Sequence, residues 1–217
     1  MKKLSTLLLI ISCSLCFSQK YHFDYAVQYD HETTNGKMYL QNVINSADDS
    51  YDLRLTSTKK NDTGVLIDYK NSVQHFFTLS SLKFPLTTEH FKYNYSKKMT
   101  SLVKQFAEED ARRFFDVELI ESKNEISIYS VKEYGSSLKK KPTTTGIIKM
   151  KNFENQLSSF GLSNLLDYVN AGKKINFSTN QILTEGEIKF KDGEHKMKLV
   201  YVEPQDFDLN IAEIVYK

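Results

Sequence analysis

Three of the five histidines, His31, His75 and His195, fall on the apolar side of alternating segments. Neutral imidazoles converging from neighbouring strands are a common zinc environment, so this trio is the first candidate for chemistry. No pair among them has metal-ligand spacing. The only two cysteines, Cys13 and Cys16, lie in an N-terminal leader and cannot complete a site. Histidines held by hydrogen bonds at strand ends or within a core are the simpler reading, and no metal or other cofactor is expected. His22 and His90 lack even that placement.

The carboxylates cluster at Asp48-Asp49, Glu108-Glu109-Asp110 and Asp206/Asp208. Glycosidase chemistry needs two carboxyls facing each other across a cleft, in surroundings that separate their pKa values. These clusters sit instead in turns or on an exposed helix face, where a solvated charge run is expected. Gly135-Ser136-Ser137 follows a strand without forming a G-x-S-x-G elbow, and no glycine-rich phosphate loop is present. The chain therefore reads as non-enzymatic. A hydrolase would have to be built on the histidines.

The elements that must position these groups are strands. Tyr21, Phe23, Tyr25, Val27 and Tyr29 alternate with mostly polar neighbours, the period of one half-buried strand. Asn35-Gly36 is a two-residue hairpin signal; pairing through it sets Val27 opposite Ile44 and His31 opposite Leu40. Alternation continues at Tyr51/Leu53/Leu55, Val65/Ile67/Tyr69 and Val73/His75/Phe77/Leu79, with polar punctuation between. Short strands about ten residues apart form a meander. Further strands are expected at Phe91/Tyr93/Tyr95, Phe115/Val117/Leu119, Ile126/Ile128 and Gly146 to Met150. Thr100 starts a helix with Leu102, Val103 and Phe106 on its apolar face. A second helix spans Leu157 to Asn170, with Gly161 as its weak point and Gly172 as terminator. Asp192-Gly193 turns a last hairpin, which pairs Phe190 with His195 and Ile188 with Met197 and sets Lys189 against Lys196. Its apolar face runs to Pro204, and Phe207, Leu209 and Ile211 form a separate final strand.

The first nineteen residues have the layout of a secretory leader. Lys2 and Lys3 precede the apolar stretch from Leu4 to Leu15, and Cys16-Phe17-Ser18 offers a small-x-small cleavage site before Gln19. Cleavage between Ser18 and Gln19 leaves a single β-rich domain over 19–217. The alternative is a lipobox, Ile10-Ile11-Ser12-Cys13, with Cys13 lipidated and the protein anchored to a membrane. Either way the chain is expected outside the cytosol, periplasmic or extracellular. The formal charge of +2 is carried by Lys2 and Lys3. A near-neutral domain with only Arg54, Arg112 and Arg113 as arginines lacks the concentrated basic face of a nucleic-acid binder. Outside the leader no apolar run approaches the ~18 residues of a membrane span.

The aromatics are the strongest remaining signal, with 14 Phe, 13 Tyr and no Trp. Stripes of rings build either a core or a concave apolar surface that holds a lipid or acyl chain. The residues expected to line such a surface are Tyr25, Val27, Leu53, Leu55, Ile67, Phe77, Ile188, Phe190, Met197 and Leu199. The three strands of Tyr51 to Leu79, with Asp68-Tyr69-Lys70-Asn71 at a tight turn, and the returning segment Glu187 to Tyr201 resemble in layout the lipoprotein-carrier half-barrels of the bacterial envelope, the LolA/LolB-like group. The resemblance covers about two-thirds of the chain and assigns no role to Arg54. It implies an unclosed antiparallel sheet curled around an apolar cavity under a helical lid. The expected fold is thus mainly β, a curved antiparallel sheet or half-barrel of about nine to eleven strands with one or two short helices. The expected function is binding of a hydrophobic ligand. The alternative is a secreted or surface interaction protein with a filled core.

Overall fold

The computed structural model describes residues 19–166, 174–175, 177 and 180–217; the expected leader and the last turn of the second expected helix lie outside the described residues. Eleven strands form one antiparallel sheet: β1 (Gln19–Thr33), β2 (Gly36–Asn45), β3 (Asp48–Ser57), β4 (Asp62–Asp68), β5 (Val73–Leu79), β6 (Phe91–Lys98), β7 (Phe114–Lys123), β8 (Ile126–Tyr134), β9 (Thr144–Asn152), β10 (Gln181–Phe190) and β11 (Gly193–Ile211). Two helices are described, α1 (Thr100–Asp110) and α2 (Ser158–Leu165). The strand order is β6-β5-β4-β3-β2-β1-β11-β10-β9-β8-β7. The chain meanders outward from β1 to β6, crosses through α1 to the opposite edge, and meanders back until β11 pairs with β1 at the centre.

That crossing bends the sheet. An 11-residue helix rises about 16 Å, and the few extended residues flanking α1 add about 17 Å. Eleven flat strands would place their edges about 48 Å apart, so β6 and β7 must come round toward each other. In the N-terminal half the curl is tight. Phe91 of β6 stacks on Phe207 of β11 with ring centres 5.4 Å apart, although five strands separate β6 from β11 in the sheet. The chain after β11 then bonds to the free edge of β6: Ser96 N–H donates to the Val215 carbonyl (2.7 Å) and Lys217 N–H to the Ser96 carbonyl (3.0 Å).

The two faces of the sheet carry separate cores. Directly paired residues share a face. One row runs Ala26–Val43–Leu53–Leu66–His75–Ser96 and points into the roll. The row beside it runs Tyr25–Ile44–Asp52–Ile67–Gln74 and points to the other side. Phe23, Leu53, Leu55, Leu66, Phe77, Phe207 and Leu209 fill the roll. Tyr25, Val27, Tyr29, Ile148, Met150, Ile188 and Met197 pack under α2 on the opposite face.

Four expectations are corrected by these registers. The stripe from Tyr21 to Tyr29 is not one face: Tyr21 and Phe23 meet Tyr51 inside the roll, whereas Tyr25 meets Phe153 outside it. The register of β1 against β11 is irregular between Phe23 and Tyr25, and such a break turns the following side chains over. Asp24, at the break, accepts from both the backbone N–H and the hydroxyl of Ser46. Both hairpins are displaced by two residues. Thr33 pairs with Gly36, which puts His31 opposite Met38 and Val27 opposite Asn42; Gly36 follows the turn, with a φ of +132° that suits glycine. Phe190 likewise pairs with Gly193, so Ile188 faces His195 and Gly186 faces Met197. This register removes the Lys189–Lys196 clash: Lys189 faces Glu194 and Glu187 faces Lys196. It also extends a ladder of alternating charge across four strands, in the order Lys37, Glu32, Lys196 and Glu187, which ends at Ile147 on β9. Lastly, Pro204 does not end a strand, because β11 runs through it to Ile211 at the irregular stretch opposite Tyr25.

Gly161 is not a defect in α2. A Cβ there would lie 2.8 Å from Leu183 Cβ and 2.9 Å from the Tyr29 hydroxyl. Its absence lets the helix settle on the sheet, where Leu162 and Leu165 are fully buried.

A candidate ligand cleft between the sheet and the two helices

On the face turned away from the roll, β1 to β4 are only partly covered. Between them and the helices lies a cleft of about 780 Å³, within the usual range for small-molecule sites. Leu40, Ile44 and Ile67 form its apolar floor; Leu102 and Phe106 of α1 form one wall, and Leu157 and Phe160, at the start of α2, form the other. Alternation along β2 and β4 puts the floor residues on this face. Helical spacing puts Leu102 and Phe106 four residues apart on one side of α1.

A polar cluster interrupts the apolar floor. The Asp52 carboxylate, nearly buried, accepts from Arg54 Nε (3.0 Å), the Tyr69 hydroxyl (2.7 Å) and Asn42 Nδ2 (3.3 Å). Arg54 also donates through Nη2 to Tyr69 (3.0 Å). Burial works against the Arg54 charge, but the adjacent Asp52, together with Tyr69, outweighs it and raises the guanidinium pKa. Burial, then the Asp52 charge, raises that of Tyr69. Neither group exchanges a proton near neutral pH. A guanidinium has five N–H donors; two are used here and the side chain is 45% exposed, so the rest are available to a ligand in the cleft. The arrangement is suited to recognising an anion or a carbonyl.

At the far end of the cleft stand His31 and His195, with ring centres 5.1 Å apart. The histidine trio is therefore split. His75 lies inside the roll, fully buried, in a chain of hydrogen bonds that runs from Val215 N–H to the Tyr93 hydroxyl (3.0 Å), to Ser96 Oγ (2.7 Å) and to His75 Nδ1 (2.6 Å). From Nε2 it continues to the Tyr21 hydroxyl (3.1 Å) and to Asp68 (2.7 Å). With the proton on Nε2 every donor in this chain finds an acceptor. Burial lowers the His75 pKa to about 4, against which the Asp68 charge works only weakly. Among the described residues no group of three or more His, Cys, Asp or Glu could hold a metal ion.

The ten residues expected to line a ligand surface do not meet in one cavity. Leu53, Leu55 and Phe77 fill the roll. Tyr25, Val27, Ile188 and Met197 are buried in the core under α2, with Phe190 and Leu199 packed against it. Ile67 is the one that lines the cleft. Arg54, Tyr69 and the α1 wall carried no sequence signal as a group, because they come together only when β3, β4 and a helix 30 residues later share one side of the sheet.

No family model matches the chain, and no curated protein matches it. Among solved structures, a DUF1329 family protein from Desulfovibrio piger aligns over 93% of this chain and 92% of its own length, at 7% identity and a TM-score of 0.20. A likeness that slight carries no argument. No described helix is long and apolar enough to cross a membrane.

Proposed function

We propose that this protein is an exported, non-enzymatic binder of a hydrophobic ligand, a lipid or acyl chain, held in the cleft between the sheet and its two helices. The observation that carries the reading is the cleft itself: an open trough of about 780 Å³ with an apolar floor and a polar rim, and with one arginine oriented by Asp52 and Tyr69. An apolar chain would lie against Ile44, Ile67 and Phe106, and a polar head would meet the spare donors of Arg54. The leader supports export, and an open antiparallel sheet carrying helices supports a likeness in layout to the LolA/LolB-like carriers. Native mass spectrometry of gently purified protein should show a co-purifying lipid, and an environment-sensitive fluorescent acyl probe should bind saturably. Ile67→Trp should block the probe, whereas Phe77→Leu, inside the roll, should not. A bare protein mass together with no saturable probe binding would sink the reading.

A second reading is favoured by the filled roll. The side chains there bury one another in a continuous core, and Leu119, Ile120 and Leu138 are exposed on the opposite half. On that reading the protein is a secreted or surface interaction module, and the probe would fail to bind.

A further inference from the structure

We propose that the His31–His195 end of the cleft is a binding site for a soft monovalent cation, copper(I), with Met38 and Met197 as its sulfur ligands. The register brings these four residues together. His31 pairs directly with Met38 of β2 on one side and with Met197 of β11 on the other. Direct cross-strand neighbours have Cβ atoms only about 4.5–5.5 Å apart, within reach of a flexible thioether. His195 precedes Met197 by two residues and so projects from the same face of β11.

The ring geometry fits a shared ion. With metal–nitrogen bonds of about 2.0–2.1 Å, an ion lies about 3.2 Å from each imidazole centre, and two rings at a tetrahedral angle stand about 5.2 Å apart. The observed separation is 5.1 Å. His195 Nδ1 is buried and makes no hydrogen bond among the described residues. The site is asymmetric in a useful way. Met197 is 1% exposed and fixed in the core, whereas Met38 is 47% exposed at the surface and lines the cleft beside both histidines. Met38 can swing to admit the ion and close behind it. Two imidazoles and two thioethers form a neutral, soft donor set, which selects copper(I) over the harder divalent ions. No carboxylate is required in such a set.

Silver(I), which does not change oxidation state under these conditions, is the probe. Silver nitrate titrated into the purified protein in chloride-free buffer, followed by native mass spectrometry, should give one ion per chain, and NMR should show the His31 and His195 ring signals moving together. Met38→Leu, a volume-conserving change at an exposed position, should weaken binding at least about tenfold while leaving the fold intact. His195→Phe should abolish it, with circular dichroism reporting whether the sheet is retained. Zinc(II) should bind at least about tenfold more weakly than silver(I). The proposal is overturned by the absence of a one-to-one species, by Met38→Leu binding like the parent protein, or by zinc(II) binding as tightly as silver(I).

Discussion

Two aspartates on consecutive strands, Asp52 of β3 and Asp68 of β4, each accept a hydrogen bond from a tyrosine, yet they sit in opposite settings. Asp68 faces the roll. It accepts from Asn71 in the turn after β4 and from Tyr21, which ends the chain through His75, Ser96 and Tyr93 in which every donor is used; His75 and Ser96 have no exposure at all. Asp52 faces the cleft. Its partners Tyr69, Arg54 and Asn42 hold the carboxylate firmly, but Arg54 keeps donors free and faces solvent. The two networks use nearly the same chemistry. The difference is closure: a fully satisfied buried network specifies a fold, while one with spare, oriented donors keeps hydrogen-bonding capacity turned to solvent.

The comparison can be broken from either side, and the largest effect is expected in the roll. Phe23→Ala removes a fully buried ring that packs on Phe207 and Tyr51; it should cost about 3–5 kcal/mol in urea denaturation and leave acyl-probe affinity unchanged in whatever protein folds. Next comes the pH response of His75. Its folded pKa of about 4 lies below the ordinary 6.5, so the unfolded chain takes up the proton first as pH falls. Its contribution to stability is complete above pH 6.5 and is lost progressively from there down to pH 4, by on the order of 3 kcal/mol in all. His75→Gln should flatten that part of the pH–stability curve; an unchanged slope would mean His75 is not the titrating group.

On the open side the expected effects are smaller and fall on binding. Arg54→Gln should weaken an amphiphile with an anionic head by about tenfold, the loss of one charged hydrogen bond, and hardly change an uncharged analogue of equal chain length. Equal loss for both would mean that Arg54 acts only by supporting the floor. The smallest effect tests the corrected hairpin. Lys189→Glu places a second carboxylate opposite Glu194 and should destabilise by a few tenths of a kcal/mol. If Lys189 faced Lys196 instead, the same change would stabilise, so the sign of the shift in Tm decides the register.

The strands were legible from side-chain alternation, which survives even where their neighbours differ from those expected. What alternation could not convey was which side of the sheet a stripe occupies after an irregularity. Tyr21 to Tyr29 keeps its period across Asp24, yet the backbone turns over there and sends Tyr25 and Val27 to the other core. Hairpin registers were misplaced because Gly36 and Gly193 read as turn residues and instead follow the turn. The cleft was illegible for a different reason: Arg54 of β3, Tyr69 in the turn after β4 and Phe106 of α1 are far apart in sequence, and nothing local links them. Met197 read as part of a ligand surface and Met38 carried no signal, because a thioether next to a histidine becomes suggestive only when pairing makes them neighbours.

The central pairing of β1 with β11 also shapes how this chain comes to exist. Phe207, Leu209 and Ile211 complete the roll begun by Phe23 and Leu53, so a nascent polypeptide that has emerged as far as β6 still lacks part of the surface that would close it. Contacts between residues nearly the full sequence length apart are slow to form. The ribosome must therefore deliver Phe207 to Ile211 before the roll can lock.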